Sequence, residues 1–226
     1  MSNFLTLPVS IGEGLDKLSI LEIKIDNIMD KRKENVVKEY NLLYEKMRVY
    51  FLYTSIQKYY NMLKKTNFYI WKLMDILRDN IEITDSRFLE VSRETIIGND
   101  VRFRIKSKIN NVINSYIKEE KGYKINRLLI DLSDLSDSIF DLEILINPLY
   151  YFLINYDEIY IVTKNAEYIK KINLEFNSQI IIIDDYPNKL NFIKIFKLTN
   201  DIILNNEKNK LLDFLEISQD LIDKYI

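Results

Sequence analysis

Two carboxylates, Asp184 and Asp185, follow directly on the apolar run Gln179–Ile183. A run of that length reads as a strand. The pair therefore falls at a strand's C-terminal end, where adjacent carboxylates hold Mg²⁺ or accept from sugar hydroxyls; the same pair also simply ends a strand and opens a turn. Asp137 stands in a comparable place, between a predicted strand and a predicted helix. In open α/β sheets that edge takes ligands, and Asp there is equally a routine helix N-cap. Arg102 and Lys106 lie one helical turn apart just after Asn99 and Asp100. That spacing grips an anion near a helix start, or else leaves two cations to pair with nearby acids. On the first predicted helix, Glu22 and Asp26 share one face and Lys17 and Lys24 another. Lys, Arg and Glu gathered on helices would suit a lyase or mutase acting on a small anion; a solvated charged face explains the same residues.

The composition narrows this chemistry. The 226 residues include no histidine and no cysteine. Disulfides, thiol catalysis, cysteine or histidine zinc sites and serine–histidine triads are excluded within the chain. Catalysis would fall to carboxylates, Lys, Tyr, Arg or backbone dipoles, and no metal or cofactor is expected. Thirty-two basic residues nearly balance 34 acidic ones, which argues against nucleic acid as a partner. Tyr40, Tyr44, Tyr50, Tyr53, Tyr59 and Tyr60 form a stripe that would pack a core, seat a protein partner or seam two copies together; without basic charge around it, base stacking is not expected. Residues 1–10 lack the basic-then-apolar pattern of a signal peptide. No apolar stretch of about 18 residues exists, so no membrane span is expected and a cytoplasmic location follows by default.

The elements that would position these residues fall into two kinds. Ser10-Ile-Gly-Glu13 fits a capping box, with serine and glutamate serving each other's backbone amides. Leu15, Leu18, Leu21, Ile25 and Ile28 then recur at helical spacing, broadened by Ile11, Ile20 and Ile23 into a face wide enough for more than one neighbour. After a polar break at Lys31–Asn35, a second helical pattern runs toward Leu63. Lys64–Asn67 is expected to interrupt it, with Thr66 as a new cap. Thr84 and Asp85 cap a further helix, and Gly98-Asn99-Asp100 reads as a stop and restart before Val101 to Tyr116. Beyond Lys121 the character changes. Strands are predicted over Arg127–Leu132, Glu158–Thr163, Gln179–Ile183 and Asp201–Leu204. Helices are predicted over Ile139–Phe152 (kinked or ended by Pro148), Ala166–Leu174, Leu190–Leu198 and Lys208–Ile226. The alternation predicts a Rossmann-like α/β domain, a parallel sheet of about four strands covered by helices, over 126–226. Residues 1–122 are expected to form a helical domain of long antiparallel helices.

Two resemblances follow. The N-terminal half resembles domain-of-unknown-function family 6165, on the strength of Pro8-Val-Ser-Ile-Gly-Glu-Gly-Leu-Asp-Lys-Leu-Ser-Ile-Leu-Glu-Ile-Lys-Ile25, of Asn99-Asp-Val-Arg-Phe-Arg-Ile-Lys-Ser-Lys-Ile-Asn110, and of Glu119-Glu-Lys-Gly-Tyr123. That family is uncharacterised, and the resemblance implies no reaction; it is often encoded among genes for surface glycans. The segment Leu128-Leu-Ile-Asp-Leu-Ser-Asp-Leu-Ser-Asp-Ser138 resembles the first strand and Ser-x-Leu-Gly-Asp turn of glycosyltransferase family nine, the heptosyltransferase family, with Ser133, Leu135 and Asp137 on the pattern and Ser136 in place of the glycine. This resemblance implies that Asp137 is a candidate base toward an acceptor hydroxyl, that Ser133 sits beside the ligand, and that the ligand is a sugar or nucleotide sugar. It also implies a second α/β domain to hold the donor, and the chain has residues for only one.

The expectation is therefore an accessory or interaction protein, connected with glycan or polysaccharide assembly and without catalysis of its own. The alternative is a sugar-transfer enzyme or subunit that uses Asp137.

Overall fold

The structure is a computed structural model. It describes residues 5–79, 83–122, 124–135, 142–176, 179–187, 190–199 and 208–226. The chain divides into two compact units, Met1–Lys121 and Gly122–Ile226.

The first unit is helical: α1 (Ile11–Asn27), α2 (Arg32–Met47), a 3-10 turn (Arg48–Leu52), α3 (Thr54–Asp79) and α4 (Asp85–Val112). The wide apolar face of α1 has its predicted consequence, because Leu15, Leu18, Leu21 and Ile23 are buried while the helix packs on α2, α3 and α4 together. α3 and α4 are each longer than the residue pattern suggested. α3 passes through Lys64–Asn67 unbroken. Thr66 is an interior residue, not a cap, and its hydroxyl donates to the Met62 carbonyl one turn back at 2.8 Å. The break falls earlier, at the 3-10 turn. α4 likewise passes through Gly98–Asp100 without stopping. Gly98 is there for space: a Cβ would stand 2.9 Å from Ile70 Cγ1 of α3. Thr84 does cap α4, accepting from Arg87 N at 3.3 Å. Tyr59 and Tyr60 are core residues, whereas Tyr44 and Tyr53 are exposed and Tyr40 stacks on Tyr44.

The second unit holds a four-stranded, all-parallel sheet: β1 (Arg127–Asp131), β2 (Glu158–Val162), β3 (Ile181–Ile183) and β4 (Lys194–Lys197), in the order β3-β2-β1-β4. Among the described residues its helices are α5 (Glu143–Asn155), α6 (Ala166–Phe176), α7 (Lys208–Phe214) and α8 (Gln219–Tyr225). Leu128, Leu129 and Ile130 are fully buried, as a central strand requires. Two expectations are corrected. Residues 194–197 are a strand, not a helix: they alternate, with Phe196 buried against Phe152 and Phe214 and Ile195 exposed, and they pair with β1 from Leu128↔Lys194 to Asp131↔Lys197. Of the two outcomes expected at Pro148, a kink or an end, the helix does not end there, since Pro148 lies inside α5. The last helix is two, because Glu216 takes a left-handed backbone (φ 57°) and Ser218 caps a new start by accepting from Leu221 N. The strand predicted at Asp201–Leu204 lies outside the described residues.

Candidate functional site

Polar side chains converge in two places, one in each unit. In the helical unit the three segments quoted for the N-terminal resemblance come together in space. Ser10 Oγ accepts from Glu13 N at 3.1 Å, Asn110 Oδ1 of α4 accepts from Gly12 N at 2.7 Å, and Ser115 Oγ accepts from Ile11 N at 3.3 Å. Three backbone N–H groups that a helix start leaves without partners are thus satisfied. Contact between α1 and α4 is close enough that a Cβ on Gly12 would stand 2.6 Å from the Lys106 carbonyl oxygen.

Charges complete this cluster. The capping box is only half realised, because the Glu13 carboxylate goes to Lys106 Nζ at 2.7 Å, and Glu119 takes the same ammonium at 2.6 Å. Asp16 is buried; its Oδ1 accepts from Asn67 Nδ2 at 2.8 Å and its Oδ2 lies 3.7 Å from Arg102 Nε. Asn67 Nδ2 also reaches Ser19 Oγ at 2.8 Å. Burial pushes the Asp16 carboxyl above its ordinary value, against the opposing pull of Arg102, Asn67 and Lys106. For Lys106 the balance runs the other way: burial disfavours its charge, but the bonds from Glu119 and Glu13 prevail and hold its pKa up. Arg102 and Lys106, the predicted anion grip, are thus both turned to the chain's own carboxylates. Glu22, on the same first helix, pairs with Lys64 at 2.7 Å and accepts from Tyr40 OH at 3.3 Å.

The second place is the C-terminal edge of the sheet. Parallel strands put all their C-terminal ends on one side, the edge at which open α/β sheets take ligands; the strand order reverses between β1 and β4, whereas the cavities at this edge lie over β1, β2 and β3. Asp131 ends β1 and is fully buried. Its Oδ1 accepts from Ser133 N at 2.9 Å and its Oδ2 from Tyr186 OH at 2.6 Å. Burial raises the Asp131 pKa, yet these bonds outweigh it and leave the carboxyl below its ordinary value; Tyr186, desolvated and bonded to that carboxylate, is pushed up to about 12. Tyr186 therefore stays a donor at neutral pH and Asp131 is a weak base.

Two cavities open beside this pair. One, of about 440 Å³, is lined by Leu132, Ser133 and Leu135 after β1 and by Thr163 to Glu167 after β2. The other, of about 240 Å³, is lined by Ser133, Val162, Lys164, Asp184, Asp185 and Tyr186. Ser133 and Lys164 belong to both. Asn165 Oδ1 caps α6 by accepting from Glu167 N and Tyr168 N, which takes two of the N–H groups at that helix start. Lys164 Nζ lies 3.5 Å from Asp185 Oδ1.

The structure thus brings together Ser133, Asp184 and Asp185 in one unit, and Arg102 and Lys106 in the other. Asp137 lies outside the described residues. Sequence reasoning missed Asp131, Lys164 and Tyr186. The first was detectable, since a carboxylate closing a buried apolar strand must find partners; Tyr186 carried no such signal. Among the described residues no group of three or more potential ligands is placed to hold a metal ion, and no helix is long and apolar enough to cross a membrane.

A small parallel α/β unit with a polar cleft at its sheet edge, joined to a helical unit with a closed ionic cluster, defines the class to which the chain belongs. Comparison with protein-family models, with curated proteins and with solved structures finds no match.

Proposed function

We propose that this chain is a sugar-binding accessory protein of glycan assembly, without catalysis of its own, which takes its ligand at the C-terminal edge of the sheet. The observation that carries this reading is the pair of cavities sharing Ser133 and Lys164. The larger lies within the size range of ligand pockets, and it mixes apolar side chains with hydroxyl, amide and carboxylate groups suited to hydrogen-bonding a polyol. The non-catalytic part is supported by the chemistry of the groups present: the chain has no histidine or cysteine, and the buried carboxylate at the edge is a weakened base.

The test is thermal unfolding of the full chain against a panel of hexoses, N-acetylhexosamines, sugar phosphates and nucleotide sugars, in wild type and in Ser133→Tyr, which places a ring in both cavities. A ligand at 100 times its Kd should stabilise by about 2.7 kcal/mol, and the tyrosine variant should lose that gain. No stabilisation by any member of the panel would refute the site. Sugar transfer or hydrolysis by wild type that disappears in Asp137→Asn would replace the accessory reading with that of a sugar-transfer subunit.

A further inference from the structure

The charge on the cleft narrows its ligand. Among the described residues the two cavities are lined by three carboxylates, Glu167, Asp184 and Asp185, and by one ammonium group, Lys164; a second ammonium, Lys171 Nζ, stands 3.9 Å from Glu167. Lys164 is already turned to Asp185 at 3.5 Å. Behind the lining, Tyr186 spends its hydroxyl on buried Asp131, which adds a further carboxylate under the floor. With Lys171 counted, three negative charges face two positive ones, so a phosphate or diphosphate entering here would still meet a described lining that is net negative. At the start of α6 the Glu167 and Tyr168 N–H groups are already taken by the Asn165 side chain, which leaves that helix start with less to offer an anion. What the lining does offer is acceptors for hydroxyl donors, the Ser133 hydroxyl, and the half-exposed ring of Tyr186 as an apolar wall against which a sugar's carbon face can lie.

We infer that the cleft selects a hydroxyl-rich ligand free of negative charge, a neutral or amine-bearing sugar, and discriminates against phosphorylated sugars and nucleotide sugars. This rests on the sheet edge being the binding site, as proposed above. Repulsion between a phosphate dianion and this residual negative charge is worth about tenfold in affinity at low salt, and shrinks as salt screens it.

Calorimetric titration of the full chain decides it, using glucose, N-acetylglucosamine and glucosamine, the 6-phosphate of each, and uridine diphosphate glucose, at low and at physiological salt. The expected result is that each sugar which binds does so at least about tenfold more tightly than its 6-phosphate, and that the ratio falls toward one in E167Q/D184N/D185N. The triple variant separates charge from the bulk of the phosphate, because bulk is unchanged by it. A 6-phosphate or nucleotide sugar that binds as tightly as the neutral sugar, at a site blocked by Ser133→Tyr, overturns the charge assignment and leaves the sheet-edge site standing. A ratio unmoved in the triple variant overturns it as well. No heat from any ligand overturns both.

Discussion

Gly12→Ala tests the closeness of α1 and α4 directly. The added Cβ would stand 2.6 Å from the Lys106 carbonyl oxygen and 3.0 Å from Asn110 Oδ1. Neither atom retreats cheaply: one is backbone, and the other is held by the Gly12 N–H at 2.7 Å. Relief requires the two helices to part by several tenths of an ångström. Overpacking of this kind costs about 1–3 kcal/mol. Weakening the buried bond to Asn110 adds about 1 kcal/mol, and the better helix propensity of alanine returns up to about 1 kcal/mol. The expected loss is about 2 kcal/mol, or about 1 M in the urea midpoint at a slope of about 2 kcal/mol/M. Gly14 and Gly122 are internal controls. At Gly14 the added carbon meets only the flexible end of Met47, at 2.8 Å from Sδ, so Gly14→Ala should be near neutral or slightly stabilising. At Gly122 it meets nothing within 4 Å, and the change should stay within about 0.5 kcal/mol. Trp71 is the sole tryptophan and lies in α3, so its fluorescence follows the helical unit even where the two units melt separately. An unchanged midpoint in Gly12→Ala, or a loss in Gly14→Ala as large, would refute the reasoning.

Three further outcomes follow from the same contacts. Lys106→Met should destabilise the helical unit by about 1–2 kcal/mol at neutral pH, below the usual range for two charge-assisted bonds because Glu13 and Glu119 keep access to water; the Trp71 urea midpoint reads it, and no change would show the triad to be inert. Asp16 carries a raised pKa, so its contribution to stability is full below its ordinary value of 3.8 and is lost as pH rises through the folded value. The stability of wild type minus that of Asp16→Asn should therefore fall with rising pH in that window, and a difference that grows would contradict the burial argument. Asp131 has the opposite sign: its lowered pKa contributes stability above 3.8 that is lost as pH falls through the folded value. Asp131→Asn should flatten that acid limb in circular dichroism melts, and Tyr186→Phe, which removes one of the two bonds, should flatten it partway.

The fold class was legible because each unit announces its period. Buried triplets such as Leu128–Ile130 and the recurrence of Leu15, Leu18 and Leu21 belong to different periods, and burial follows both. Where the reading failed, tertiary contact overrode local signal. Thr66 and Gly98 look like punctuation in isolation. In the fold Thr66 satisfies its hydroxyl inside the helix, and Gly98 makes room for Ile70. Residues 194–197 carry apolar and charged groups consistent with either period, and pairing with β1 decides the matter. The candidate site was legible only where a strand end marked it: Asp184, Asp185 and Ser133 sit at the sheet edge for that reason, whereas Tyr186 is recruited from a loop and nothing local distinguishes it.

The two polar clusters show why residue type alone does not make a site. Arg102 and Lys106 have the spacing of an anion grip, and α1 offers a helix start nearby, yet every one of these groups is already claimed. Asp16, Glu13 and Glu119 take the two cations; Ser10, Asn110 and Ser115 take the N–H groups. A ligand would have to displace bonds that hold three distant segments together, which sets its affinity against the stability of the fold. At the sheet edge the internal bond from Tyr186 to Asp131 uses a hydroxyl and a buried carboxylate, while Ser133, Lys164 and Asp184 face a cavity that water or a solute must fill. Binding there exchanges solvent for ligand and leaves the internal bonds in place. For that reason the modest-looking residues after β1, β2 and β3, rather than the dense ionic cluster, are where ligand recognition is to be sought.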